Sequence, residues 1–166
     1  MLTLLTFLLL TYALWQLFLL FGWMRSGKDT GSDSIAMQGL VSVIVPFRNE
    51  EAHLAALLSD LCRQSEAGPY EIILVDDHSS DGGTDLLHTL SGRWGDPTLS
   101  IRICRLEDGQ AGKKAALKAG VDEARGVILL FTDADVRIPD QWVRHMRASL
   151  ATDGRARLVC GPVAIE

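Results

Sequence analysis

The sequence contains few cysteines, and their arrangement suggests neither a cross-linked nor a metal-bound framework. The three cysteines, Cys62, Cys104 and Cys160, are widely spaced, and no Cys-x-x-Cys pair is present. An odd number of isolated cysteines favours neither a disulfide scaffold nor a zinc site. The cysteine content therefore indicates a protein that works in a reducing compartment.

The sequence also lacks a basic cluster and several catalytic motifs. Sixteen Lys and Arg residues are outnumbered by 21 Asp and Glu residues, and the net charge of -5 argues against nucleic acid as a partner. The P-loop pattern, the Gly-x-Gly-x-x-Gly fingerprint, the Gly-x-Ser-x-Gly elbow and the His-Glu-x-x-His zinc motif are all absent. These absences disfavour nicotinamide oxidoreductases and hydrolases.

Charge is missing from one long stretch at the start of the chain. Residues 2–24 contain no charged side chain, and a helix of that length is roughly 33 Å long, which is enough to cross a bilayer. A cleaved signal peptide is one alternative, but the basic leader and the small-x-small site are missing. A buried soluble helix is another, but it would normally show a polar face. We therefore predict a transmembrane helix over residues 1–24.

Two basic residues set the expected orientation of this helix. Arg25 and Lys28 follow the apolar run and nothing basic precedes it, so the positive-inside tendency places the following domain in the cytoplasm. Residues 25–39 are polar and rich in Gly and Ser, which predicts a flexible linker. The sequence thus predicts a single-pass membrane protein with a folded domain over residues 40–166.

Within the folded domain, short apolar runs alternate with amphipathic segments. Strands are predicted over residues 41–46, 71–75, 99–106, 127–131 and 157–163, and helices over residues 50–64, 84–90, 113–124 and 141–150. Apolar strands that are separated by helices indicate a mostly parallel sheet with helices on both faces. The predicted fold class is therefore α/β with a Rossmann-like layout.

Each of the first four predicted strands ends in a polar cluster. In chain order the clusters are Arg48-Asn49-Glu50-Glu51, Asp76-Asp77-His78-Ser79, Glu107-Asp108 and Asp133-Ala134-Asp135. Ligands of parallel α/β sheets bind beyond the carboxyl ends of the strands. The clusters therefore predict one site at that edge of the sheet.

Three sets of polar residues allow different interpretations: Asn49 with the acids that follow it, the pair Asp76-Asp77, and Lys113. Asn49 stands where a helix begins, and Glu50 and Glu51 fall in its first turn, so a helix cap and partners of the helix dipole explain them as well as ligand contacts do. Two consecutive acids, Asp76 and Asp77, exceed what capping needs, and one of them is expected to accept hydrogen bonds from a base N–H or a hydroxyl. Lys113 opens a helix against the helix dipole, which indicates a bound anion such as phosphate.

Asp133 and Asp135 are the candidate metal ligands. Alternate residues of an extended segment point to the same side, so both carboxylates are expected to face one point if the strand geometry continues. Hard divalent cations prefer such oxygen ligands. A turn or a helix cap is the ordinary alternative for an isolated Asp-x-Asp.

Taken together, the motifs resemble those of family 2 glycosyltransferases with the GT-A fold. The resemblance rests on residues 41–51, 75–84, 112–117 and 133–135, in that order and spacing. It implies that the nucleoside of a nucleotide-diphosphate sugar, expected to be a UDP-sugar, is held by residues of the first two clusters: Pro46, Phe47, Arg48, Asn49, Glu50, Asp76 and Asp77. It also implies that Lys113 lies near the base or the phosphates.

The same resemblance implies a divalent cation, Mg²⁺ or Mn²⁺, that binds the diphosphate at Asp133 and Asp135. Asp135 is expected to coordinate the cation directly, and Asp133 is expected to lie nearer the ribose or the metal. The implied activity is hexosyl or N-acetylhexosaminyl transfer with inversion at the anomeric carbon, to an unknown acceptor that could be a lipid or a polysaccharide. An acidic base activates the acceptor hydroxyl in such reactions.

Two features of the sequence depart from the family pattern. The sequence stops soon after the metal motif, so the catalytic base is expected downstream of Glu166, and Lys118 stands where many relatives carry Asn. The alternative function is therefore a catalytically silent nucleotide-sugar-binding fragment or an assembly module. A nucleotidyltransferase is disfavoured because no glycine-rich loop follows the first strand.

Overall fold

The computed structural model describes residues 2–26, 39–65, 67–92 and 99–152. The chain divides into two units, Met1–Asp33 and Ser34–Glu166. Most of the predicted linker over residues 25–39, and all of the strand predicted over residues 157–163, lie outside the described residues.

The first unit is described by one helix, α1 (Leu2–Ser26). Its described side chains are those of residues 6–21, and all of them are exposed. Within the described ranges, no helix combines the length and the apolar character that a membrane crossing requires. The transmembrane helix predicted over residues 1–24 is not shown by the structure and stays a prediction.

The described part of the second unit is built on a parallel sheet. Its strands are β1 (Val41–Phe47), β2 (Tyr70–Asp76), β3 (Ser100–Arg105) and β4 (Ile128–Phe131). They lie in the order β3-β2-β1-β4, and each neighbouring pair is parallel. These four predicted strands are confirmed to within one residue at each end. The apolar runs locate β1 and β2 well because both strands are buried along almost their whole length.

Four helices follow the strands along the chain. They are α2 (Glu51–Cys62), α3 (Gly83–Ser91), α4 (Lys113–Glu123) and α5 (Trp142–Thr152). The predicted helices are confirmed to within two residues at each end, which is the range over which helix ends fray. The predicted alternation of strands and helices is therefore confirmed for residues 41–152.

Helices cover both faces of the sheet. On one face, α2, α3 and α5 contribute Leu58, Leu87 and Val143 to the larger core cluster. On the other face, Ala116 of α4 packs in a second cluster with Ile44 of β1. The predicted α/β class with a Rossmann-like layout is confirmed for the described residues, and the carboxyl ends of its strands meet at one edge.

Candidate functional site

The carboxyl edge of the sheet carries an open cavity of about 260 Å³. Phe47 of β1 lies beside Asp76 of β2, and Phe131 of β4 lies beside Ile44 of β1. Residues that follow these strands therefore start from the same edge. The cavity is lined by residues from the ends of three strands and the start of α4: Pro46, Phe47, Arg48, Glu50, Asp77, Lys113, Ala116, Asp133, Ala134 and Asp135.

The structure brings together all of the predicted site residues except Asn49 and Asp76. Sequence reasoning did not single out the two alanines, Ala116 and Ala134. Ala116 follows Lys113 by three residues on α4, which places both on one face of the helix. That spacing is the signal that could have identified Ala116 as part of the wall.

Asp76 holds the loop after β2 and does not line the cavity. Its side chain is fully buried. Its Oδ1 accepts the N–H of Ser79 at 2.7 Å, and its Oδ2 accepts the hydroxyl of Thr84 at 3.1 Å. Nη1 of Arg105 lies 3.8 Å from the same Oδ2. Of the two consecutive acids, the geometry therefore favours Asp77 as the one that faces a ligand, and a nucleoside contact by Asp76 stays a prediction.

Asn49 links two loops instead of capping a helix. Its φ is 56°, a left-handed conformation that Asn adopts more readily than most residues. Its N–H donates to Oγ of Ser79 at 3.0 Å, and its Oδ1 accepts the N–H of Ser80 at 2.8 Å. The position before α2 is taken by Glu50, which makes no side-chain capping bond. The cap interpretation of Asn49 is therefore wrong, and a ligand contact by Asn49 stays a prediction.

A second link joins the same two loops. The N–H of Glu51 donates to Oδ2 of Asp81 at 2.9 Å, and Oε2 of Glu51 accepts the N–H of Gly82 at 3.1 Å. The starts of α2 and α3 thus hold each other through reciprocal hydrogen bonds. The residues that follow β1 and β2 form one cross-linked wall beside the cavity.

Asp77 connects this wall to the start of α4. Its side chain is 8% exposed and lies 3.8 Å, through Oδ2, from Nη1 of Arg48. The same Oδ2 accepts the N–H of Gly112 at 2.9 Å. Gly112 has a φ of 91°, which favours glycine. The Asp77 carboxylate thus holds the start of α4 and also lines the cavity.

The start of α4 is suited to an anion. Its first turn contains no acidic residue, and Gly112 supplies no side-chain cap. The first hydrogen bond of the helix runs from the N–H of Ala116 to the carbonyl of Gly112. The earlier N–H groups therefore have no partner within the helix, and together with the helix dipole they favour negative charge. The Lys113 side chain adds a cation at the same place.

Asp133 and Asp135 line the cavity by a different geometry from the one expected. β4 ends at Phe131, and Ala134 and Asp135 lie in a turn, so the strand geometry does not continue. The two carboxylates still line one cavity, and Ala134, between them, is buried. Oδ1 of Asp133 lies 2.7 Å from Nζ of Lys113. Asp135 is exposed and makes no hydrogen bond or ion pair with any residue that the structure describes.

These donors fit a cation that takes few protein ligands. In the described ranges, no three His, Cys, Asp or Glu side chains converge on a ready-made metal site. Mg²⁺ usually binds through one or two carboxylates and completes its shell with phosphate oxygens and water. The unpaired carboxylate of Asp135 fits such a cation, and Asp133, which now pairs with Lys113, would supply a second oxygen ligand.

The glycosyl transferase family 2 model matches residues 42–166, which include the whole of this cavity. The chain belongs to glycosyltransferase family 2. The family resemblance that the motifs indicated is thus confirmed.

Among members of glycosyltransferase family 2, one curated relative is the undecaprenyl-phosphate 4-deoxy-4-formamido-L-arabinose transferase of Aeromonas hydrophila. It is 38% identical over 110 aligned positions, and the match covers 64% of this chain and 32% of the relative. The chain thus spans about a third of the length of the curated relatives it matches.

Two solved structures share the fold. S. aureus TarS 1-349 in complex with UDP-GlcNAc is 27% identical with a TM-score of 0.55, and the match covers 68% of this chain and 31% of that one. The mannosyltransferase PcManGT from Pyrobaculum calidifontis, in complex with GDP-Man and Mn2+, is 25% identical with a TM-score of 0.64. That match covers 87% of this chain and 42% of the mannosyltransferase. The parallel α/β sheet of the chain is thus GT-A-like.

Proposed function

We propose that the chain is the donor-binding part of a glycosyltransferase that takes a sugar from a UDP-sugar with the help of Mg²⁺ or Mn²⁺. One observation carries the proposal. Lys113 at the start of α4 and the two aspartates of the turn after β4 line the same cavity. Family membership supports it, as do the neighbours whose structures contain UDP-GlcNAc, or GDP-Man with Mn2+.

The charges around the cavity support a role for a cation. The lining side chains include four acids, Glu50, Asp77, Asp133 and Asp135, and two bases, Arg48 and Lys113. A diphosphate entering this cavity meets an excess of negative charge, which disfavours binding unless a cation is present. A divalent cation held by Asp135 and Asp133 supplies that charge and stabilises the leaving diphosphate.

The remaining residues have separable tasks in this proposal. Pro46 and Phe47 form an apolar wall for the nucleoside, and Asp77 accepts a hydrogen bond from its base or ribose. Lys113 exchanges the carboxylate of Asp133 for a phosphate oxygen of the donor. The first N–H groups of α4 hold the same diphosphate. The donor is thereby oriented with its sugar toward the open side of the cavity.

We further propose that the sugar, a hexose or an N-acetylhexosamine, is transferred with inversion. Inversion needs a general base that takes the proton of the acceptor hydroxyl. No described residue is assigned to that role. Asp133 and Asp135 are unsuited to it because, in this proposal, they bind the cation.

A lipid acceptor and a membrane location complete the proposal. The curated relative is named for an undecaprenyl-phosphate acceptor, and a polysaccharide is the alternative. The described side chains of α1 are exposed, and residues 2–24 carry no charge, which favours a single-pass anchor. Arg25 and Lys28 favour a cytoplasmic position for a catalytic domain over residues 40–166, joined to the anchor by a linker over residues 25–39.

Calorimetric titration of the full chain in detergent micelles with UDP, with and without Mn²⁺, tests the donor assignment. We expect Mn²⁺ to increase the affinity for UDP, and Asp135→Asn to abolish that increase. Asp140→Asn is the matched control, because Asp140 is exposed and does not line the cavity. An Mn²⁺-dependent increase that survives Asp135→Asn would contradict the metal assignment, and a wild-type chain that does not bind UDP would contradict the proposed function.

A further inference from the structure

Asp60 of α2 is a buried acid that does not line the cavity but contacts the segment next to it. Its side chain is 4% exposed. Oδ2 accepts Nε–H of Arg137 at 2.7 Å and the N–H of Ile138 at 3.2 Å. Oδ1 accepts Nη2 of Arg137 at 3.0 Å and Nη2 of Arg63 at 3.0 Å. The Arg137 guanidinium is thus gripped by both oxygens, in the bidentate geometry that gives charge-assisted bonds their strength and direction.

The segment that Asp60 grips directly follows the turn with the two aspartates. Residues 133–139 belong to no helix or strand, so no regular ladder of backbone hydrogen bonds fixes their position. Ala134 and Ile138 are buried in the core and hold the apolar side of the segment. Asp135 and Arg137 are exposed on the other side. Only one residue separates Arg137 from Asp135, so the position of one constrains the position of the other.

The residues just after α2 make further contacts with the same part of the chain. Nε2 of Gln64 donates to the carbonyl of Pro139 at 2.8 Å, and Oε1 of Gln64 accepts the N–H of Val143 at 2.9 Å. The N–H of Ser65 donates to the carbonyl of Asp140 at 2.7 Å. We refer to Asp60, Gln64 and Ser65 together as the α2 clamp. The clamp holds residues 137–143 at the carboxyl end of α2, and the leucines of α2 are packed in the core.

Stability alone is a weak reason for a charge at position 60. Removing a carboxylate from water is costly, and its partner Arg137 is 70% exposed, so their ion pair offsets only part of that cost. The hydrogen bond from Arg137 holds the pKa of Asp60 below its ordinary value even though burial raises it. The side chain is therefore ionised at neutral pH, and its bonds to Arg137 are directional.

We propose that Asp60 is a positioning residue for Asp135: through Arg137 and Ile138 it fixes where the Asp135 carboxylate stands in the cavity. This inference rests on the proposed function, because it assumes that Asp135 binds a divalent cation. It assigns to α2 a part in cation binding although no residue of α2 lines the cavity.

The test uses Asp60→Asn in the full chain, with Glu71→Gln as the matched control. Both variants neutralise a buried carboxylate that pairs with an arginine, but Glu71 lies near the amino end of β2 and pairs with Arg102. Calorimetry with UDP, with and without Mn²⁺, gives the Mn²⁺-dependent gain in affinity. We expect Asp60→Asn to lower that gain about tenfold, as changes to residues that orient metal ligands do. UDP affinity without metal is expected to change less than about twofold, and Glu71→Gln is expected to keep the full gain.

A second variant and a metal-free measurement keep the inference testable if Asp60→Asn fails to fold. Arg137→Gln leaves the bonds of Asp60 to Ile138 and Arg63 in place, and its side chain is 70% exposed. We expect it to lower the Mn²⁺-dependent gain as well. Hydrogen–deuterium exchange without metal is expected to be faster for the amides of residues 132–138 in Arg137→Gln and in any folded Asp60→Asn.

The outcomes separate this inference from the proposed function. If the wild-type chain shows an Mn²⁺-dependent gain that Asp60→Asn and Arg137→Gln retain in full, the proposed function stands and the positioning role is overturned. An equal loss of UDP affinity with and without metal would likewise overturn it, because that pattern indicates general damage to the cavity. If the wild-type chain shows no gain, the proposed function and this inference fail together.

Discussion

Glu71 near the start of β2 and Asp135 beyond the end of β4 are both acidic, but their surroundings are opposite. Glu71 is 1% exposed. Its Oε1 accepts the hydroxyl of Ser42 at 2.6 Å and the N–H of Arg125 at 2.8 Å, and its Oε2 accepts Nη2 of Arg102 at 3.0 Å. Asp135 is exposed, and none of the described residues pairs with it.

This difference shows that the chain uses different carboxylates to stabilise the fold and to bind a ligand. A buried charge is tolerated only when it is paired and hydrogen-bonded, so the partners of Glu71 are already committed to the fold. A carboxylate in water needs no protein partner and keeps its oxygens for a ligand. The amino edge of the sheet therefore carries a structural acid, and the carboxyl edge carries an acid that is available for binding.

The largest expected effect comes from the structural acid. Glu71→Gln removes the buried partner of Arg102, which keeps its exposed partner Glu123, so the cost lies at the lower end of the about 3–5 kcal/mol for breaking a buried pair. We expect the free energy of unfolding to fall by about 3 kcal/mol, measured by urea denaturation. The exposed control Asp140→Asn is expected to change it by less than about 0.5 kcal/mol. A loss for Glu71→Gln no larger than that of the control would contradict a structural role for this acid.

Low pH is expected to remove part of the contribution that Glu71 makes to the free energy of unfolding. Burial raises the pKa of Glu71, but the hydrogen bonds from Ser42 and Arg125 and the charge of Arg102 outweigh it, so this pKa lies below the ordinary value of 4.5. The folded carboxyl then binds a proton less readily than the unfolded one. Its contribution is complete above the unfolded pKa and is lost as the pH falls through the folded pKa.

Urea denaturation at a series of pH values tests whether the contribution of Glu71 to stability is lost as the pH falls. Below about pH 5, the unfolding free energy of the wild-type chain is expected to fall more steeply than that of Glu71→Gln, which has no proton to bind at this position. Profiles of equal steepness in the two proteins would show that Glu71 does not contribute to acid unfolding.

A smaller effect is expected at the carboxyl edge, in the pair formed by Asp133 and Lys113. Their side chains are 53% and 63% exposed, and Oδ1 and Nζ lie 2.7 Å apart. Exposed pairs of this kind contribute about 0–1 kcal/mol, so Asp133→Asn is expected to raise UDP affinity without metal by up to about fivefold, because Lys113 is free for phosphate. The same change is expected to lower the gain from Mn²⁺. Calorimetry that shows weaker UDP binding without metal would contradict this competition.

Much of the fold and part of the site could be predicted from sequence because the signals are local. β1 and β2 are apolar runs, and the clusters that end the strands lie at one edge wherever the strands are parallel. That rule grouped Asp77, Asp133 and Asp135 correctly around one cavity, but the third cluster, Glu107-Asp108, does not line it. It needed no knowledge of side-chain direction. Lys113 was found by a different signal, its position at the start of a helix.

The residues that sequence reasoning misplaced depend on contacts that no local pattern records. Asp76 and Asp77 are neighbours of the same type, and what distinguishes them is that Asp76 is buried in contacts with Ser79, Thr84 and Arg105. Asp60 sits among the core leucines of α2, and its partner Arg137 is 77 positions away. The turn at Ala134 likewise depends on how tightly that alanine is buried against the rest of the core.

The central claim is that Asp135 binds the cation and Glu71 stabilises the fold. The most direct test compares the stability and the Mn²⁺-dependent UDP affinity of one variant at each position. For Asp135→Asn and Glu71→Gln, we would determine the unfolding free energy and the Mn²⁺-dependent gain in UDP affinity. The account predicts a crossed result, in which Asp135→Asn loses the gain but keeps its stability, and Glu71→Gln loses stability but keeps the gain. Retention of the gain by Asp135→Asn, together with its loss in Glu71→Gln, would contradict the account.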